Sequence, residues 1–97
     1  MPTFIVLGQF TEQGIRNVKD TSKRADAAKE LAKKLGANMR EFFWTIGRHD
    51  VVLIIEAPND EAAMAFALSA GKLGNVRTET LRAFSQAEIN QILSRVE

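Results

Sequence analysis

The chain's single histidine, His49, is followed by Asp50 in the turn Gly47-Arg48-His49-Asp50, and its single tryptophan, Trp44, stands just ahead of that turn. Histidine titrates near neutrality, and a carboxylate beside it fixes the tautomer and raises the basicity, so the pair has the components of a proton-transfer device. Successive strand residues point to opposite faces, so the two side chains meet only if the turn continues through His49. Otherwise Asp50 serves the turn itself, accepting nearby backbone N–H groups. Glu56 closes the apolar run Val51-Val52-Leu53-Ile54-Ile55; a carboxylate buried there either keeps its proton or takes a base such as Arg77 or Arg82 as partner. His49, Asp50 and Glu56 are therefore the candidate acid–base residues.

A second set of residues points to binding. Trp44 shares a strand parity with Phe42, and the two fit the wall of a pocket for a flat apolar ligand, or a core or subunit interface. Lys19, Lys23 and Arg24 flank the start of the first long helical segment, where backbone N–H groups and the helix dipole favour an anion. With Arg77 these residues make up the candidate ligand set: Lys19, Lys23, Arg24, Trp44 and Arg77. The stretch Gly71-Lys72-Leu73-Gly74-Asn75 lacks the spacing of a phosphate loop and follows a helix instead of opening one. No Gly-x-Ser-x-Gly, His-Glu-x-x-His or Gly-x-Gly-x-x-Gly pattern occurs. One histidine and no cysteine give no metal set within one chain, which leaves a carboxylate site built across subunits as the metal alternative. No cofactor is implied.

The elements that must position these residues are legible from periodicity. Residues 3–10 read as a strand with Phe4, Val6 and Phe10 on one parity and Ile5 and Leu7 on the other, a pattern expected of a strand covered on both faces. Thr11 to Gly14 turns the chain, and Ile15 to Val18 reads as a short helical turn. A helix follows from about Ser22 to Leu35, with Ala25, Ala28, Leu31, Ala32 and Leu35 on one face, Asp20 or Thr21 as cap, and Gly36 as the stop. Asn38–Ile46 reads as a mixed, edge-like strand with Phe42, Trp44 and Ile46 on one face, and Asp50–Ala57 as a strand apolar on both faces. Asn59 caps a second helix that ends near Ala70 and is apolar nearly all round, so it expects cover beyond one sheet. Asn75–Phe84 reads as a fourth, more polar strand. Ser85-Gln86-Ala87-Glu88 is a capping-box pattern opening a C-terminal helix with Ile89, Ile92, Leu93 and Val96 on one face, and that face should dock on something.

The order predicts an α+β fold: a single ferredoxin-like β-α-β-β-α-β sandwich over residues 1–97, with a four-stranded antiparallel sheet plus a C-terminal helix. Strands 1 and 3 are central in that arrangement, which suits their double apolar parity. Two helices cover one sheet face only. The other face calls for a second copy, and a homo-oligomer formed through the open sheet face is expected.

Five segments then fall into place together: Phe4-Ile5-Val6-Leu7-Gly8-Gln9-Phe10-Thr11-Glu12-Gln13-Gly14-Ile15-Arg16, Lys23-Arg24-Ala25, Gly47-Arg48-His49-Asp50, Glu56-Ala57-Pro58 and Gly74-Asn75-Val76-Arg77-Thr78. In these the chain resembles the GYD domain family of small bacterial proteins over nearly its whole length. The family's Gly-Tyr-Asp motif corresponds to the hairpin, where Gly47 and Asp50 are recognisable and His49 stands at the tyrosine-like position. The resemblance implies kinship with dimeric α/β-barrel proteins, among them cofactor-independent monooxygenases, small-molecule isomerases and ligand-binding regulatory domains. It brings a fold and an assembly rather than one activity.

Composition bounds the remaining choices. A chain of 97 residues with 45% hydrophobic and 26% charged residues is that of one globular domain. The net charge of +1 conceals a basic stretch from Arg16 to Arg40, interleaved with Asp20, Asp26 and Glu30. Such interleaving suits a solvated helix face or an anion site and not a nucleic-acid stripe. No signal peptide or membrane segment is legible, and the expected location is cytoplasmic. The sequence therefore predicts an oligomeric module that binds a small anionic or aromatic molecule. Two alternatives are a cofactorless enzyme using His49, Asp50 or Glu56, and a structural building block.

Overall fold

The computed structural model describes residues 1–97. In chain order it contains β1 (Thr3–Phe10), α1 (Glu12–Arg16), a 3₁₀ turn (Val18–Asp20), α2 (Thr21–Lys34), β2 (Asn38–Trp44), β3 (Val51–Glu56), α3 (Asp60–Gly71), β4 (Val76–Ala83) and α4 (Gln86–Leu93). The strands form one antiparallel sheet in the order β2-β3-β1-β4. The doubly apolar strands β1 and β3 are thus central, and the more polar β2 and β4 are the edges.

Strand alternation sends Phe4 and Val6 of β1 and Val51, Leu53 and Ile55 of β3 to the helix-covered face, where they form the core with Ala32 of α2 and Ala63 and Phe66 of α3. The opposite face is open, as two helices on one side of the sheet imply. Ile5, Leu7, Val52 and Ile54 alternate onto it and stay half-exposed, with no helix over them. At its flanks Phe43 is 50% and Leu81 43% exposed. A single protomer leaves this face open, so the second cover predicted for β1 and β3 is not supplied within the chain.

Local chemistry explains most boundaries. Thr11 caps α1 by accepting the Gly14 N–H at 3.0 Å, which organises a helix where the sequence pattern suggests only a turn. α2 starts at Thr21; Asp20 sits at its N-cap but makes no side-chain capping bond. The helix stops at Gly36, whose φ of +78° is left-handed and suits glycine. Asn59 caps α3 through the Ala62 N–H at 2.9 Å, and the helix runs through Gly71. Its outer residues Met64 and Leu68 are exposed, so the cover expected around α3 is absent from the protomer.

β2 also departs from its reading. The register shifts between Met39 and Glu41, as a bulge at Arg40 would make it. The strand ends at Trp44, and Ile46 is wholly exposed instead of aligning with Phe42 and Trp44. The reason is the turn's own bonding: the Thr45 N–H donates to the Asp50 carbonyl at 2.8 Å and the Thr45 hydroxyl to the His49 carbonyl at 2.5 Å, which closes the loop and turns Ile46 outward.

The capping box of α4 forms as read: the Ser85 hydroxyl accepts the Glu88 N–H at 3.1 Å and Glu88 Oε1 accepts the Ser85 N–H at 2.8 Å. The protomer itself offers no docking surface for this helix, because no strand or helix packs extensively on it. Ile89, Ile92, Leu93 and Val96 remain exposed. The radius of gyration, 14.5 Å, accordingly exceeds the value of about 12.5 Å for a compact chain of this length.

Glu88 supplies a pH-dependent element. The Ser85 backbone N–H, then the Ser85 hydroxyl, with Arg82 adding its charge and a hydrogen bond, hold its carboxyl below the ordinary value of 4.5. A carboxyl depressed in the folded state supports the fold fully above its unfolded value and loses that support as pH falls through the folded one. An NMR titration is expected to place Glu88 below an ordinary glutamate and to follow fraying of α4 in the same acid range. Ser85→Ala, which keeps the backbone N–H, should move the Glu88 midpoint part of the way back upward; an unmoved midpoint would remove the Ser85 hydroxyl as a contributor.

Candidate functional site

The β2–β3 hairpin uses its polar groups to bind β1. The Asp50 N–H donates to the Gly8 carbonyl at 2.8 Å, while Asp50 Oδ2 accepts the Phe10 N–H at 2.8 Å. Gln9 Nε2 donates to the Arg48 carbonyl at 2.7 Å. Asp50 therefore extends the β1–β3 ladder past the last strand pair, using its carboxylate in place of a backbone carbonyl. The structure does not bring the His49 and Asp50 side chains into a hydrogen bond. His49 is half-buried, and its Nδ1 is enclosed without a hydrogen-bond partner.

Glu56 lies toward the open sheet face beside Asn38. Its partner is Arg40 at 3.7 Å, with Asn38 Nδ2 donating at 3.3 Å, and neither Arg77 nor Arg82 reaches it. The register explains this: β2 lies against β3, whereas β4 lies beyond β1 at the far edge. Arg82 turns instead to Glu88 at 3.4 Å and stacks over Phe84 at 4.3 Å from the ring centre. The three acid–base candidates thus sit in separate local settings.

The five ligand candidates also separate. Lys19 and Lys23 are exposed. Arg77 lies on the open sheet face, because its neighbour Val76 faces the core. Arg24 and Trp44 both engage the first turn of α2, one as its residue and the other through Thr21. Trp44 Nε1 donates to the Thr21 hydroxyl at 3.0 Å, and its ring lies 4.7 Å from that of Phe42. Arg24 folds back so that Nη1 donates to the Asn17 carbonyl at 2.9 Å and Nη2 to the Gly14 carbonyl at 3.2 Å, with its guanidinium 5.7 Å from the centre of the Phe10 ring.

Thr21, Arg24 and Phe42 all line a cavity of about 360 Å³ between α2, α3 and the helix-covered face of the sheet. Val6, Leu53 and Phe66 also line it, and Trp44 borders it through Thr21. Its volume falls in the range of small-molecule sites. The sequence reading places a ligand beside the first helix but does not foresee a cavity between the two helices. The signal for it was the small residues along its wall: Ala27 and Ala28 on α2, Ser69 and Ala70 on α3. Side chains of that size cannot fill the space between helix and sheet.

One further junction matters to the geometry. The Thr11 N–H and hydroxyl donate to the Asn75 and Gly74 carbonyls at 3.1 and 2.5 Å, and Gln13 Nε2 donates to Asn75 Oδ1 at 2.9 Å. The α1 segment is thereby fastened to the α3–β4 loop. Gly14 packs so closely there that a Cβ on it would stand 1.9 Å from the Asn75 carbonyl oxygen. No helix of the structure is long and apolar enough to cross a membrane.

The chain is 30% identical over 90 residues to a Thermus thermophilus protein named "Glutamine synthetase and cystathionine beta-lyase binding protein", an alignment that spans 92% of this chain and 95% of that one. The GYD domain pattern matches residues 4–93, taking in the Asp50 ladder extension, the Gly14–Asn75 junction and the whole of α4, and the chain belongs to that family.

Proposed function

We propose that this protein acts by binding: it pairs with a second copy through the open sheet face and docks on other proteins, enzymes among them. The observation that carries the reading is uncovered apolar surface. The protomer exposes 6721 Å², roughly 1,200 Å² more than the ~5,500 Å² typical of a folded monomer of this mass. A standard interface removes about 800 Å² from each partner, so the surplus, to which the undocked α4 also contributes, leaves room for at least one such contact. The sheet face with Ile5, Leu7, Val52 and Ile54 offers a self-complementary patch for a two-fold contact. The Thermus relative's name supports protein partners, for which the exposed faces of α3 and α4 remain available after pairing.

Two separate observations favour other roles. The cleft between α2 and α3 supports a ligand-holding function within the same module. The unbonded Nδ1 of His49 is what speaks for proton-transfer chemistry, although Asp50 and Glu56 are engaged elsewhere.

Light scattering on the full chain is expected to give twice the 10.8 kDa protomer mass. Immobilised protein is expected to capture purified glutamine synthetase or cystathionine β-lyase reversibly. A monomer that captures neither enzyme would overturn the reading.

A further inference from the structure

We propose that the cleft between α2, α3 and the sheet is a binding site for a small apolar monocarboxylate whose carboxylate sits on Arg24. The inference rests on the ligand-holding reading of the cleft and is independent of the sheet-face contact.

The charge inventory of the lining is one-sided. Arg24 and Lys72 are the only ionisable side chains among the lining residues, and no aspartate or glutamate is present. Arg24 makes no ion pair. Its protein partners are the neutral carbonyls of Gly14 and Asn17, which occupy one N–H on each terminal nitrogen. A guanidinium carries five N–H groups, so three remain, enough for the two-point grip on a carboxylate that arginine favours. The guanidinium also lies 5.7 Å from the centre of the Phe10 ring. A half-buried cation in apolar surroundings with no counter-ion is stabilised by an anion that brings its own apolar body.

The polar groups nearby agree in sign. The Thr21 hydroxyl accepts from Trp44 Nε1, which leaves its proton to donate. Thr21 and Arg24 both belong to the first turn of α2, where Asp20 provides no side-chain cap and the helix dipole adds to the preference for negative charge. Deeper in, Val6, Leu31, Phe42 and Phe66 present hydrocarbon. The site therefore joins a cation to a mainly apolar wall, with Ser69, Asn75 and Thr78 as its further polar members, and favours a carboxylate on a hydrocarbon or aromatic body.

Trp44 is the chain's only tryptophan, and it touches both Thr21 and Phe42, so its emission is a built-in reporter. The test titrates the full-length protein with 3-phenylpropanoate and with octanoate, each against its neutral amide, by calorimetry and tryptophan fluorescence. At least one acid is expected to bind at one equivalent per protomer, at least tenfold tighter than its amide. Arg24→Gln should weaken that acid at least tenfold and leave the amide unchanged. Ala28→Leu, which fills the cavity from α2 with a good helix former, should abolish binding while the melting temperature holds or rises. Saturable binding by neither acid, equal binding of acid and amide, or unchanged acid binding in Arg24→Gln would each overturn the proposal. If Arg24→Gln loosens the α1 segment that Arg24 ties down, the acid-to-amide ratio on the unaltered protein and the Ala28→Leu result decide alone. Failure here leaves the mass and enzyme-capture results untouched, so the two readings fail separately.

Discussion

Gly14→Ala is expected to cost about 3 kcal/mol of stability, at the upper end of overpacking penalties, and to lower the melting temperature by roughly 12–24 °C for a domain of this size. The cause is one atom. A Cβ at Gly14 would lie 1.9 Å from the Asn75 carbonyl oxygen and 2.9 Å from its carbonyl carbon. Both are backbone, so no rotamer change relieves the overlap. Relief requires α1 to lift from the α3–β4 loop, which breaks the Thr11 bonds to Gly74 and Asn75 and the Gln13 bond to Asn75. Arg24 would lose its Gly14 carbonyl in the same movement. Gly71→Ala is the matched control: nothing lies within 4 Å of a Cβ there and φ needs no glycine, so a helix position gains up to about 1 kcal/mol. Thermal melts of the two variants are expected to move in opposite directions. Equal, small shifts would mean that the α1 segment is not held against the loop.

The same junction shows why part of the site was legible and part was not. Strand order followed from parity, because an apolar residue on each face marks a central strand and that signal is local. The segments Thr11 to Gly14 and Gly74-Asn75 stood out in the family resemblance, yet nothing local to either said that they touch; the contact spans some sixty residues of chain. Asp50 was open between a proton-transfer partner and a turn acceptor, and its acceptor proved to be Phe10 on a strand forty residues away. Glu56 met Arg40 because a register shift in β2 moved that arginine, and a bulge leaves no periodic trace in sequence. The cleft went unread for a different reason. Alanine at core positions of a helix reads as packing, and only the distance between two elements tells whether the space is filled. Arg24 alone of the predicted cations reached the cleft, since Lys19 and Lys23 flank it on the exposed side of the turn while Arg77 falls on the other sheet face.

If the proposed sheet-face dimer forms, Ile54→Lys is expected to convert it into a folded monomer and to raise the dissociation constant by about 10³-fold or more. Ile54 is central on the open face, paired with Ile5 on β1 and Glu41 on β2. In the free protomer the change is mild. Ile54 is already half-exposed, strand propensity differences span about 1 kcal/mol, and Glu41 across the strand pair can meet the new ammonium. In a sheet-to-sheet dimer the same position is covered, and two-fold symmetry places two lysines in one interface, so two desolvation costs apply at once. Sedimentation of the variant against the unaltered protein separates the cases, with circular dichroism to confirm that the fold persists. Retention of the dimer would remove the sheet face as the contact and leave the apolar side of α4, with Ile89, Ile92 and Leu93, as the next surface of sufficient hydrophobicity. Conversion to monomer with the Arg24 cleft still able to bind its carboxylate would establish that the protein carries two independent surfaces, one for its own copy and one for a ligand. Enzyme capture measured on that monomer then decides whether protein partners recognise the dimer or the single chain.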